Sequence, residues 1–258
     1  MIRVKSILLV IVITLFNLSA AFSQKKAEII TTKWANNPVI ADGLLSDWPD
    51  SLTLFNEATN LYYSLANDNK NVYLALRSAS KQDLTKILAG GISFSANIDR
   101  KKKDQATVIF PILDRTPGKA RNIKDQPEAE EMQKQILSKI KDIKVTGFKE
   151  IIDGGISLQN TYGIRAGASF DRNSNLIQEI IIPLNLLNLS TANAGEVIYS
   201  IKVNGHQGSS AAMSQRQTTQ RQPMGGMYGG QFPPRNSAMN KLLTSKEFYI
   251  KSRLATKQ

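Results

Sequence analysis

Residues 38–78 constrain the fold of this chain more strongly than any other stretch. Two segments within it, residues 61–65 and 72–76, are rich in Leu, Val and Tyr and have the composition of strands. An Asn- and Asp-rich connection, residues 66–71, joins them. Two such segments flanking a short polar connection predict a β-hairpin.

The segment before the hairpin predicts a strand over residues 38–41, followed by a tight turn at Asp42-Gly43. Glycine tolerates positive φ, and an Asp side chain in such a turn accepts hydrogen bonds from nearby backbone N–H groups. Leu44, Leu45 and Trp48 then follow at roughly helical spacing, so we expect Trp48 to be buried in a short helical or looped segment.

Strand patterns continue along most of the chain. Ile92, Phe94 and Ala96 alternate with polar residues, as in a half-buried strand, and Pro111 indicates a sheet edge or a bulge. About ten short strands without a βαβ rhythm predict a mainly β protein, an antiparallel β-sandwich with jelly-roll or immunoglobulin-like layers. The further strands are predicted at residues 28–33, 107–113, 144–148, 156–159, 163–170, 197–203 and 246–253, and within residues 176–187, where an apolar strand stops at Pro183.

One amphipathic helix is predicted, beginning at Asp125 as N-cap. Acidic residues follow in its early turns, basic residues close it, and Met132, Ile136 and Ile140 form one apolar stripe. Residues 82–89 have room for one or two further helical turns.

The sequence divides into a predicted signal peptide and one domain that contains an insertion. Residues 1–23 have a basic start, an apolar run and a small-residue cleavage pattern, which predict a signal peptide and a secreted or periplasmic protein; a retained N-terminal anchor is the alternative. Residues 24–258 then form a single domain. Its segment 207–240 is rich in Gly, Gln, Ser and Met, a composition that predicts a disordered, flexible segment. Because a predicted strand follows it, this segment is an insertion within the domain.

Charge and cysteine content narrow the possible partners. The formal net charge is +12 and cysteine is absent, so thiol catalysis and thiolate metal sites are excluded. For an exported protein, this charge favours an acidic polysaccharide or lipid headgroups over nucleic acid. Lys and Arg side chains that only keep the protein soluble are the simpler explanation.

Several motifs resemble those of the family 9 carbohydrate-binding modules and their DOMON-like relatives. These motifs are residues 38–43 with Asp47 and Trp48, the hairpin at 61–76, the segment 178–184 and the strand at 197–205. The resemblance implies a β-sandwich and a noncatalytic module that binds carbohydrate. It assigns Asp42, Gly43 and Trp48 a structural part.

The chain departs from the sugar-binding members of that family, which clamp a ring between tryptophans. Only Trp34 and Trp48 are present, and Trp48 is expected in the core. The candidate ligand-binding residues are therefore Trp34, Tyr62 and Tyr228, whose aromatic faces suit a sugar ring; packing at a solvent edge is the alternative for Trp34. A haem site is not expected, since most methionines lie in the insertion.

No catalytic or metal site is predicted, and no cofactor. His206 is the only histidine and lies at the edge of the insertion, where nothing would orient it for catalysis. Acidic residues are sparse on the predicted strands and Glu179 is the one clear case, so a pair of carboxylates is not expected on the sheets. Calcium ligation by Asn67, Asp68 and neighbouring amides competes with a plain hairpin turn, which the pattern favours.

The sequence therefore predicts a binding module for polysaccharide. The alternative is an envelope-associated β-sandwich, structural or bound to a protein partner, without sugar recognition.

Overall fold

The computed structural model describes residues 29–48, 52–78, 80–97, 105–113, 128–192, 195–205 and 242–257. The predicted signal peptide, the predicted insertion with Tyr228, and His206 lie outside these residues. The elements in chain order are β1 (Ile29–Thr31), β2 (Lys33–Trp34), β3 (Leu54–Asn56), β4 (Leu61–Asn67), β5 (Asn71–Ser78), α1 (Lys81–Gly90), β6 (Ile92–Asn97), β7 (Thr107–Leu113), α2 (Ala129–Ser138), β8 (Ile140–Thr146), β9 (Gly154–Ser157), β10 (Arg165–Phe170), β11 (Leu176–Pro183), a 3₁₀ turn (Leu184–Leu187), β12 (Val197–Val203) and β13 (Lys246–Arg253).

The strands form two sheets. Sheet A has the order β1-β13-β12-β6-β7-β8-β9, and sheet B has the order β10-β11-β5-β4-β2, with β3 also paired to β4. Almost all pairs are antiparallel, as predicted. The two parallel pairs, β1 with β13 and β2 with β4, both involve the N-terminal segment.

The main core lies between the sheets. Phe94 and Tyr199 of sheet A stack with ring centroids 5.6 Å apart, and both are fully buried. Leu74 and Ile180 of sheet B belong to the same apolar cluster. The predicted mainly β sandwich is therefore confirmed, because two packed sheets bury the alternating apolar residues on their facing sides.

Sheet B is covered on its outer face as well. Leu74 and Ile180 point into the main core, whereas Tyr73, Ala75 and Ile181 belong to a second cluster on the other side of the sheet. This double burial explains why β11 is buried along almost its whole length instead of alternating. A loop from the N-terminal region provides the outer layer.

Two local predictions need correction. Residues 38–41 do not form a strand; they belong to the loop that covers sheet B. The apolar stripe predicted for the helix does not reach Ile140, because α2 ends at Ser138 and Ile140 begins β8, where it is 8% exposed and pairs with Leu113. No residue of α2 is buried, and Met132 is 50% exposed.

The structure contains a second α-helix in addition to the predicted one. The suggested one or two turns at residues 82–89 form α1, ten residues long. Ser80 caps it, since its hydroxyl oxygen accepts a hydrogen bond from the Asp83 N–H at 3.1 Å. The expected bulge near Pro111 is present, as the register of β7 against β8 shifts between Ile109 and Ile112.

Candidate functional site

The loop of residues 35–48 lies over sheet B and provides one side of the candidate site. Val39 and Trp48 of the loop are buried and pack with Tyr73, Ala75 and Ile181 of the sheet. Small side chains on the sheet let the loop approach closely. The loop is therefore part of the packed structure, and its position depends on what fastens it.

Glu179 fastens the loop to the sheet. Its side chain is fully buried on β11. One carboxyl oxygen accepts hydrogen bonds from the backbone N–H groups of Asp42, at 3.0 Å, and Gly43, at 2.6 Å. The other accepts a hydrogen bond from the indole N–H of Trp48. We call these four residues the Glu179 clasp.

The turn within the clasp requires glycine. Gly43 has a φ of +84°, a conformation that other residues rarely adopt. Its N–H donates to Glu179, and its carbonyl oxygen accepts a hydrogen bond from the Ser169 hydroxyl at 2.7 Å. The Asp42-Gly43 turn and the buried Trp48 that the sequence predicted are present, and the part that both play here is structural.

The surroundings of Glu179 raise the pKa of its carboxyl group from an ordinary value of 4.5 to about 7. Burial is the main cause, because it disfavours the charged form, and the nearby carboxylates of Asp47 and Asp42 act in the same direction. Hydrogen bonds from Trp48 and Gly43 lower the pKa but do not outweigh burial.

The raised pKa predicts a pH-dependent stability. A group that binds protons more tightly in the folded state stabilises the fold below its unfolded pKa, near 4.5, and this contribution is lost as the pH rises through about 7. A Glu179→Gln variant does not titrate there. We therefore expect wild-type protein to lose about 3 kcal/mol of unfolding free energy relative to the variant between pH 4.5 and 8. Urea unfolding of both proteins across this range measures the difference, and parallel stability curves would contradict the assignment.

A surface groove of about 550 Å³ lies beside the start of the loop. We call it the Trp34 groove, because the half-buried Trp34 lines it at the end of β2. The residues that line it come from the loop, the β4–β5 turn, the start of β10 and the C-terminal segment. Its amide and aromatic lining residues are Trp34, Asn36, Asn37, Asn69, Asn71 and Tyr73.

Asp68 organises the turn that borders the groove. One carboxylate oxygen accepts hydrogen bonds from the backbone N–H groups of Lys70, at 2.7 Å, and Asn71, at 2.6 Å. The other accepts a hydrogen bond from the Tyr73 hydroxyl at 2.7 Å. Burial raises the pKa of Tyr73, with its hydrogen bond to Asp68 acting in the same direction. Both oxygens of Asp68 are thus engaged within the protein.

The hairpin turn predicted at residues 66–71 is present, and Asn67 within it contacts two distant segments of the chain. The buried Asn67 side chain joins both ends of the described chain: its oxygen accepts hydrogen bonds from the Thr32 hydroxyl and from the Ala255 N–H, the latter at 2.8 Å. Its amide nitrogen donates to the carbonyl oxygens of Asp68 and Ala255 at 3.1 and 3.0 Å. Within the part of the chain that the structure describes, no group of three or more His, Cys, Asp or Glu residues is placed to hold a metal.

Basic side chains give the groove its charge. Lys70, Arg165 and Lys257 line it and are all exposed. One guanidinium nitrogen of Arg165 donates to the carbonyl oxygens of Asn160, at 2.9 Å, and Ile164, at 3.0 Å. Asp68 is the only acidic residue among the described residues that line the groove.

The structure separates the predicted ligand-binding residues. Trp34 lies in the groove, but Tyr62 does not. One ring neighbour of Tyr62 is Phe55, with centroids 4.7 Å apart, and the Arg77 guanidinium lies 4.6 Å from the centre of the same ring. Tyr228 lies outside the described residues. A direct role in ligand binding stays a prediction for all three.

Sequence reasoning missed most of the residues that line the groove. Asn36 and Asn37 precede Pro38 in a pattern typical of a turn, and Arg165 begins a strand without any local pattern that marks it. Tyr73 lies in a predicted strand, and its place in the groove, with its hydroxyl group bound to Asp68, has no signal in the sequence. The groove forms where four distant segments meet, and a single sequence carries no signal for such a meeting.

The fold and the groove define the chain as a β-sandwich with an open, amide-rich and basic surface groove. Two solved structures have a similar chain course. They are a family 9 carbohydrate binding module from Caldicellulosiruptor kristjanssonii in complex with cellotriose, at 11% identity and a TM-score of 0.41, and the same kind of module from that organism in complex with glucose, at 10% identity and a TM-score of 0.39.

These two matches extend over most of each chain. Each covers 90% of this chain, and they cover 95% and 97% of the respective modules. Both are family 9 modules, the family that the sequence resembles. No protein-family model matches the chain, and no curated protein matches it. No helix within the described residues is long and apolar enough to cross a membrane.

Proposed function

We propose that this chain is a secreted, noncatalytic module that binds a saccharide in the Trp34 groove. The observation that carries the proposal is the half-buried Trp34 in a groove with four asparagines. An indole face packs against the C–H groups of a sugar ring, and amide side chains both donate and accept hydrogen bonds, as sugar hydroxyl groups require. The groove is shallow enough to admit an extended ligand from solvent.

The single carboxylate among the described residues that line the groove supports binding rather than hydrolysis. Cleavage of a glycosidic bond ordinarily uses two carboxyl groups on either side of the bond. Among the described residues that line the groove, Asp68 is the only acid, and both of its oxygens hold the β4–β5 turn. Glu179, the acid that the sequence pointed to, is fully buried in the clasp.

We expect Trp34→Ala to weaken saccharide binding by about 10-fold or more, because removal of a central aromatic contact typically has an effect of this size. A glycan array identifies the bound saccharide, and isothermal titration calorimetry then measures its affinity for both proteins. Phe55→Ala is the matched control, since Phe55 is an exposed aromatic residue, 44% accessible, outside the groove. Equal losses in the two variants would contradict a site at Trp34.

One observation favours a second function. Trp48 is buried and the ring of Tyr62 contacts Phe55 and Arg77, so neither of these two aromatic residues offers a free ring face to a sugar. Such a surface suits an envelope-associated sandwich that binds a protein partner. A glycan array without any bound member, together with co-purification of an envelope protein, would favour this function over the first.

A further inference from the structure

Three cationic side chains and one acidic side chain line the Trp34 groove. Lys70, Arg165 and Lys257 are exposed there, whereas Asp68 directs both carboxylate oxygens to the β4–β5 turn. The groove therefore has an excess of positive charge. Opposite charge on a ligand would be attracted to it, and a concave surface of one sign concentrates such ligands.

These cations have no acidic partner in the described part of the chain. Its ion pairs join Lys251 and Arg253 of β13 to Glu196, at 3.6 and 3.8 Å. Neither Lys70 nor Arg165 nor Lys257 takes part in an ion pair there. Among the residues that the structure describes, no salt bridge therefore neutralises these three cations.

Arg165 is held in place for binding. A single nitrogen, Nη1, donates to the carbonyl oxygens of Asn160 and Ile164, so the guanidinium plane is oriented by the backbone. Its remaining N–H groups form a planar fork, which matches the two oxygens of a carboxylate or sulfate group. Because the side chain is already oriented, less conformational entropy is lost when a ligand binds.

Lys70 extends the basic surface beyond one sugar ring. A neighbouring depression of about 430 Å³ shares Asn69, Lys70 and Asn71 with the Trp34 groove and continues to Leu184 and Ser190. Residues of the β4–β5 turn line both depressions. Together they have the size for an oligosaccharide rather than a single ring.

We propose that the saccharide is acidic, with its carboxylate or sulfate group bound by Arg165, its ring against Trp34 and Lys70 directed at the next unit. This inference rests on the proposed saccharide-binding function. It names an anionic glycan as the ligand class, and the acidic group can belong to a uronic acid or to a sulfated sugar.

The test is an array that pairs acidic glycans with neutral counterparts, including uronic acid, sulfated and uncharged oligosaccharides. Binding to vesicles of phosphatidylglycerol, measured in parallel, tests whether the groove recognises negative charge on a lipid surface instead. Binding confined to acidic glycans is the expected result. Binding confined to neutral glycans would overturn this inference and leave the proposed function in place. The absence of glycan binding would overturn both, and a preference for vesicles would assign the cations to a lipid surface.

Variants then locate the acidic group. For the glycan bound best on the array, Arg165→Gln is expected to weaken binding about 10- to 100-fold and to reduce its dependence on salt, because hydrogen bonds to charged groups contribute this much. Arg165→Lys keeps the charge without the fork and should recover only part of the affinity. Arg172→Gln, which removes an exposed cation at the other end of β10, is the control. An Arg165→Gln variant that unfolds at the wild-type temperature and binds like the control would overturn the assignment.

Discussion

Replacing Glu179 with alanine is expected to lower the free energy of unfolding by at least about 3 kcal/mol. The substitution leaves three donors without their acceptor, the N–H groups of Asp42, Gly43 and Trp48. A buried donor that loses its partner costs about 1–3 kcal/mol. The cavity left behind adds to the loss. The measurement is chemical denaturation at pH 5, where the buried carboxyl group is mostly neutral.

The control for this experiment is Glu247→Ala. Glu247 is exposed on β13 and accepts one hydrogen bond, from the Ser200 hydroxyl, so we expect a change of about 1 kcal/mol or less. A Glu179→Ala protein as stable as this control would show that the clasp does not hold the loop. Tryptophan fluorescence gives a second readout, because release of the loop exposes Trp48.

Replacing Gly167 with alanine is expected to destabilise the protein by about 1–3 kcal/mol, the usual cost of forcing an extra group into a packed site. A Cβ atom at this position would lie 2.1 Å from the carbonyl oxygen of Ala41 and 2.9 Å from the backbone nitrogen of Asp42. Both atoms belong to the backbone of the covering loop, so no side chain can turn away to make room. The loop or β10 would have to move.

Gly155→Ala provides the matched control in the other sheet. A Cβ atom there would meet no atom within 4 Å, so we expect stability within about 0.5 kcal/mol of wild type. Because Val39 lies on the covering loop and also lines the Trp34 groove, Gly167→Ala should weaken ligand binding as well. Equal thermal stability of the two variants would contradict the close approach of loop and strand.

The strand pattern of this chain was predictable because local periodicity reports burial. The β4–β5 hairpin, the strand that stops at Pro183 and the last two strands are all present where the sequence placed them. The helix boundary was wrong at Ile140, because Ile140 fits the spacing of a helical stripe as well as the start of β8. In this chain, its pairing with Leu113 decides between the two.

The position of the covering loop, residues 35–48, was not predictable in the same way. Glu179 could be seen as an unusual acid in an apolar strand, but its partners lie more than 130 positions earlier in the chain. The sequence indicates that the carboxyl group of Glu179 is buried, but it does not show which groups donate hydrogen bonds to it. The groove has the same origin, since Arg165 and Lys257 meet Trp34 only after both sheets have formed.

The parallel pairing of the first and last strands has a mechanical consequence. Thr31 aligns with Arg253 and Ile29 with Lys251, so β1 and β13 point the same way along one sheet edge. Tension applied between residue 29 and residue 257 pulls these two strands past each other lengthwise. In this shear geometry, all hydrogen bonds between the two strands bear the force at once and do not break one after another. We therefore expect the pairing of β1 with β13 to resist a pulling force applied between these two residues.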